Sequence, residues 1–384
     1  MIDPLALARA LIRVPSVTPA GPEVFDVVER ALRDAGFEVT RMTFASAGTG
    51  VENLFATRGM GRHLAFAGHL DVVPPGAADA WSSPPYAATV DGDALVGRGA
   101  QDMKGGVAAI IAATARWASD GGPGRVSLLL TGDEEGPAVD GTRPLVEWVC
   151  ARHPIDAAVV GEPTSLERLG DTLKVGRRGS LSATVTICGR QGHVAYQERA
   201  DSPVPALLSV GQALLAPLDE GTPVFSPSNL EIVGIEVANL AWNVIPATAS
   251  LRFNVRYNDR WSPDTLRAEL TQRITRAASR PVDVAWEDGV SEAFVTRDEA
   301  LIEAVSDAVE EATGVRPEQS TSGGTSDARF LKDYFPVVEF GAVGDTMHQP
   351  NERTSVAELR TLASAYRAII DRVIGGERLP PRRG

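Results

Sequence analysis

Short apolar runs at 63–67, 125–130 and 156–160 are separated by stretches of helical periodicity at 106–117 and 142–151, and each run ends in polar or glycine-rich residues. Strands that alternate with helices in this way pair into an α/β layer, a mixed but largely parallel sheet with flanking helices. In such a sheet the chemistry lies beyond the carboxyl ends of the strands. The chain opens on a helix, with Asp3 as N-cap, Pro4 at the first helical position, and Leu5, Ala8, Leu11 and Ile12 on one face. A second helix runs from 23 to 35 and stops at Gly36.

The pattern changes after Gly179. Residues 181–187 alternate with period two, 202–215 read as a helix, and 230–237 and 249–257 read as strands. Ser262-Pro263 starts a helix lasting to 278, and 282–286 is a last strand. That order is β-α-β-β-α-β, the ferredoxin-like unit. Helix and strand alternation resumes near 299, with 301–313 helical and 337–340 extended. The sequence therefore predicts an α/β domain built from 1–178 and 292–384, interrupted by a ferredoxin-like α+β insert at 179–291. The tail 379–384 is expected to fray.

Composition narrows the function. With 43% hydrophobic and 23% charged residues the chain is not disordered. A net charge of −13 argues against nucleic acid or an anionic membrane as the main partner. The longest apolar stretch, 107–118, is broken by Arg116 and falls short of a membrane span, and no basic region precedes an apolar run at the N-terminus. Two cysteines, Cys150 and Cys188, exclude a disulfide framework and fit a reducing compartment. A cytoplasmic protein is expected.

Five segments place metal-type ligands just past predicted strands of the α/β domain: Gly68-His69-Leu70-Asp71, Gly99-Ala100-Gln101-Asp102-Met103-Lys104-Gly105-Gly106, Thr131-Gly132-Asp133-Glu134-Glu135-Gly136, Gly161-Glu162-Pro163-Thr164 and Thr346-Met347-His348-Gln349-Pro350-Asn351-Glu352. Imidazole with carboxylate is a donor set for zinc, cobalt or manganese, and the absence of a CxxC pair argues against a structural zinc site. Gly97-Arg98-Gly99 with Gly105-Gly106 lacks the Gly-Lys-Ser/Thr element of a phosphate loop. No Gly-x-Ser-x-Gly elbow is present.

Taken in order, these segments resemble the metal-dependent amidohydrolase family that includes aminoacylases, acetylornithine deacetylases, carboxypeptidase G and the desuccinylases. The resemblance covers nearly the whole chain. Five further stretches are most similar to the branch that acts on succinylated diaminopimelate: 68–74, 174–180, 192–196, 243–246 and 323–327. The resemblance implies a zinc-exopeptidase-like catalytic domain with an inserted lid and dimerisation domain. It implies two zinc ions per subunit, with cobalt or manganese able to substitute. His69 and Glu162 would hold one ion, Glu135 and His348 the other, and Asp102 would bridge both, with a cis peptide after it. Asp71 would orient the His69 imidazole, and Glu134 would be the general base. His193 would reach the other subunit's site and stabilise the oxyanion, with Asn243 crossing beside it.

A succinylated diaminopimelate carries three carboxylates, and arginine forks suit carboxylates. The resemblance implies Arg177 and Arg256 for that role, with Ser180, Tyr196, Gly324 and Thr325 around them. The expected reaction is hydrolysis of N-succinyl-LL-diaminopimelate to succinate and LL-diaminopimelate in lysine biosynthesis, by a homodimer. The alternatives are an acetylornithine deacetylase or another N-acyl amino acid hydrolase of the same family, and, from a different class, a non-catalytic scaffold on the same fold. Gln197-Glu198-Arg199, Trp242 and Gly344 depart from the family pattern at positions that bear on substrate fine structure.

Overall fold

A computed structural model describes residues 2–46, 48, 50–237, 239 and 241–375; the tail expected to fray lies outside them. The chain divides into two compact units, one of residues 1–175, 296–320 and 326–384, the other of residues 176–295 and 321–325.

The first unit is built on an eight-stranded sheet in the order Glu38–Phe44, Val51–Met60, Gly124–Thr131, His63–His69, Ala157–Val160, Val337–Glu339, Thr172–Lys174, Glu318–Ser320. Its middle four strands are parallel, while Glu38–Phe44 and Val51–Met60 form an antiparallel edge. The central strand His63–His69 is buried at every position, as a parallel strand covered on both faces must be. Helices Lys104–Ser119 and Val356–Gly375 pack against it. The first helix, Pro4–Ile12, is capped as expected: Asp3 Oδ1 accepts the N–H of Leu5 at 3.3 Å.

The second unit holds an antiparallel sheet in the order Asn229–Glu236, Thr248–Tyr257, Gly179–Cys188, Asp283–Trp286. Helices Val204–Leu214 and Pro263–Ala278 complete the β-α-β-β-α-β order. Burial alternates along Gly179–Cys188 and Thr248–Tyr257, so one sheet face carries Leu181, Val185, Leu251 and Phe253 into a core shared with Leu207, Val210, Leu266 and Ile274. Ser262 starts the second helix with a reciprocal capping box to Thr265. The outer edge of Asn229–Glu236 has no neighbouring strand among the described residues, and Val233 and Ile235 on it are exposed.

Candidate metal centre

Parallel register brings four of the five ligand-bearing segments to the carboxyl ends of the strands of the large sheet. His69 ends its strand opposite Thr131, and Glu134 and Glu135 follow Thr131 after a two-residue step. Ala67 pairs with Val160, two residues before Glu162, and Val160 pairs with Glu339, the end of the strand that leads to the His348 loop. Asp102 sits just before helix Lys104–Ser119, and the Asp102–Met103 peptide is cis. Close approach needs glycine here: a Cβ on Gly341 would lie 2.3 Å from the carbonyl oxygen of Glu162. His348 itself holds a positive φ of 62°, a conformation rare outside glycine.

Asp102 lies between the two imidazoles. Its Oδ1 is 3.1 Å from His69 Nε2 and its Oδ2 is 3.3 Å from His348 Nε2. Glu162 Oε1 lies 3.8 Å from His69 Nε2, and Glu135 Oε1 lies 3.0 Å from His348 Nε2. Glu134 groups with His69 and Glu162, their ligand atoms all within 4.8 Å of one another. Glu135 groups likewise with His69 and Asp102, so both adjacent acids reach the His69 side, and Glu135 also contacts His348.

The charges are strongly coupled. Burial disfavours ionisation of Asp102, yet hydrogen bonds from His348 and His69 hold its carboxyl well below the usual range. Hydrogen bonds to Asp102 and Glu135 raise His348 to about 10. Burial opposes a charged His69, but Asp102 and Glu162 raise it well above the ordinary histidine value. Glu134 is raised well above the carboxylate range by burial and by the charges of Glu162 and Asp327. Two imidazole nitrogens and several carboxylate oxygens, with one carboxylate offering an oxygen to each side, fit a pair of divalent cations. His69 Nδ1 is engaged at 2.9 Å by the backbone carbonyl of Asp71, which leaves Nε2 as the ligating nitrogen.

Asp71 departs from its expected part in one respect. Its carboxylate is 3.6 Å from His69 Nδ1, and it accepts instead the backbone N–H groups of Glu134 at 3.2 Å and Glu135 at 2.9 Å. The backbone oxygen orients the imidazole; the side chain shapes the turn.

The expected substrate residues fall in the second unit and form two groups. Arg177 Nη1 donates to the Gly324 carbonyl at 3.3 Å, and half-buried Thr325 follows in the same segment. Ser180 pairs across the sheet with Arg256, and its Oγ accepts from Asn254. The guanidinium of half-buried Arg256 has no hydrogen bond or ion pair among the described residues; burial and the like charge of Arg178 lower its pKa. Arg178 in turn donates to Asn229 Oδ1 at 2.9 Å. In the other group the Val194 N–H donates to the Asn243 carbonyl, and the rings of His193 and Tyr196 lie 5.6 Å apart; all three predicted residues are exposed.

Sequence reasoning missed three residues of this region. Buried Asp327 accepts from Thr142 Oγ1 at 2.6 Å and is pushed up to about 6 by burial. Arg98 and Glu352 form a buried ion pair beside Asp102. Asp327 closes one quoted motif and Glu352 stands four residues after His348, so both carried a signal by position alone.

Comparison with known proteins identifies the family. A succinyl-diaminopimelate desuccinylase from Xanthobacter autotrophicus is 51% identical over 373 residues, covering 96% of this chain and 98% of that protein. Among solved structures, the M20 family metallo-carboxypeptidase Sso-CP2 from Sulfolobus solfataricus superposes with a TM-score of 0.79 at 16% identity, covering 97% of this chain and 99% of that one. The Bacillus subtilis YXEP protein, described as a dinuclear metal binding peptidase, gives 0.70 at 18% identity over 97% of each chain. Residues 65–372 match the model of peptidase family M20/M25/M40, and the chain belongs to that family.

Proposed function

We propose that this chain hydrolyses the amide of N-succinyl-LL-diaminopimelate, releasing succinate and LL-diaminopimelate for lysine and diaminopimelate biosynthesis. The 51% identity to the Xanthobacter desuccinylase over 96% of the chain carries the reading, and the donor set around Asp102 is its chemical support.

His69 and Glu162 would hold one divalent ion and Glu135 and His348 the other, with Asp102 shared between them; zinc is the ion proposed, with cobalt or manganese as substitutes. Such a pair, when bound, polarises the amide carbonyl and makes a water acidic enough to lose a proton near pH 7. Glu134 takes the proton of the attacking water at its carboxylate and later delivers it to the leaving amine. His193, supplied across a homodimer with Asn243 beside it, donates to the developing oxyanion. Arg177 and Arg256, with Ser180, Tyr196, Gly324 and Thr325, bind the substrate carboxylates; the unpaired guanidinium of Arg256 favours an anionic ligand. The dimer forms through the second unit. No described helix is long and apolar enough to cross a membrane, and the cysteines Cys150 and Cys188, which form no disulfide among the described residues, suit the reducing cytoplasm.

The test is product analysis of the zinc-loaded protein incubated with N-succinyl-LL-diaminopimelate and, separately, with N-acetylornithine. Release of succinate at a kcat/KM far above that for the acetylated substrate supports the reading. Preference for acetylornithine, or no hydrolysis of either, refutes it.

A further inference from the structure

A carboxylate with no exposed surface is costly to desolvate and survives where hydrogen bonds replace its water. Glu352 is fully buried. Its Oε1 accepts the backbone N–H groups of Gln101 at 2.9 Å and Asp102 at 3.0 Å. Its Oε2 accepts the N–H of Gly99 at 3.0 Å and Arg98 Nη1 at 2.6 Å. Gly99 has a φ of 82°, which turns its N–H toward the same anion. The turn carrying Asp102 is thus wrapped around a side chain from the His348 loop. Arg98, also buried, lies over the Trp81 ring at 5.3 Å and reaches back to the carbonyls of His348 and Gln349 at 3.4 Å.

We propose that Glu352, together with Arg98, is a positioning residue of the metal centre: it fixes the turn that presents Asp102 and ties to it the loop that presents His348. The inference rests on the two-metal reading above. Glu352 touches neither substrate nor ion; it acts through the backbone of Asp102. Glutamine has the same shape but carries one oxygen and one NH2, so one side of the carboxylate's pairing would face donor to donor.

The metal-free protein and its Glu352→Gln variant are titrated with Co2+, following visible absorption and heat, and the folding of each metal-free form is checked by thermal melting. The expected result is a folded variant whose Co2+ affinity falls about 10–100-fold, with an altered absorption band and a fall in kcat at little-changed KM. A folded variant with wild-type affinity and band shape overturns the proposal. Absence of Co2+ binding by the wild-type protein overturns the two-metal reading itself. Should Glu352→Gln not fold, Arg98→Lys decides, since it keeps the carboxylate and its three backbone partners: an altered cobalt band supports the proposal and an unchanged one overturns it.

Discussion

Asp71 Oδ2 accepts the backbone N–H of Glu135 at 2.9 Å, while its Oδ1 takes that of Glu134 at 3.2 Å. One buried carboxylate thereby decides how two consecutive acids leave the strand Gly124–Thr131. Asp71→Asn puts an amide NH2 against one of those N–H groups. The expected outcome is a folded protein whose kcat/KM falls about 10–100-fold while metal content, read by mass spectrometry, stays near two ions. An unchanged kcat/KM would show that the turn holds its shape without the anion.

Glu134 and Glu135 are separated by the same turn. Glu135 lies against His348 and within reach of His69 and Asp102, while Glu134 groups with His69 and Glu162. Glu134→Ala is expected to cut kcat by about 10²–10⁴ with both ions retained. Glu135→Ala is expected to lose ions on dialysis. Paired activity and metal measurements separate the two, and the reverse pattern would exchange their roles.

What the sequence revealed follows the physics of each segment. The βαββαβ insert was readable because its strands alternate cleanly and bury one face, as along Thr248–Tyr257. The parallel strand His63–His69 was readable as a short apolar run. The edge strand Glu38–Phe44 was not, since none of its residues is buried and its alternation of exposed and half-buried positions is broken midway. The long helix Val356–Gly375 was also missed, for its buried face, Leu359, Leu362, Tyr366 and Ile369 among others, is interleaved with arginines and alanines. At the metal centre the ligand-type residues stood out because histidine is scarce. Glu352 and Arg98 did not, because an acid and a base on distant segments give no local sign that they pair.

Arg256 combines partial burial, no partner for its guanidinium among the described residues and a neighbouring guanidinium in Arg178. If Arg256 binds a substrate carboxylate as proposed, that arrangement would trade fold stability for an anion site. Arg256→Met is therefore expected to melt at the same temperature as the parent or higher, while KM for the succinylated substrate rises about 10–100-fold. Calorimetry and steady-state kinetics on one preparation check both halves. A clear loss of stability would mean that Arg256 supports the sheet instead.

His63 supplies a pH test far from the ligands. Its ring is buried between the Pro154 carbonyl at 2.7 Å and Ser127 Oγ at 2.6 Å. Burial, only partly offset by the Pro154 bond, pushes its pKa down to about 4 from an ordinary 6.5. The folded state therefore resists protonation while the unfolded chain accepts a proton below 6.5. Its contribution is fully present above that pH and is lost as pH falls toward 4, by about 3 kcal/mol in all. Urea unfolding of the metal-free protein at pH 7 and pH 4.5 is expected to show a smaller acid loss in His63→Gln than in the parent. Equal losses would leave the acid sensitivity to other groups.

The proposed dimer gives the sharpest test of His193. Strand Asn229–Glu236 is an edge strand with Val233 and Ile235 exposed, a liability that pairing with a second copy would cover. Changing both residues to lysine is expected to yield monomers in sedimentation that still bind metal, because every proposed ligand lies in the other unit. Those monomers should lack activity if His193 serves the neighbouring subunit. Complementation isolates that last step. A His193→Ala subunit keeps Glu134, and a Glu134→Ala subunit keeps His193, so a heterodimer of the two holds one intact site only when the histidine acts across the interface. Unfolding and refolding the two inactive variants together should recover about a quarter of parental activity, since half the dimers mix and each mixed dimer works at one site. Histidine acting within its own chain would leave every site in the mixture defective, and no activity would return.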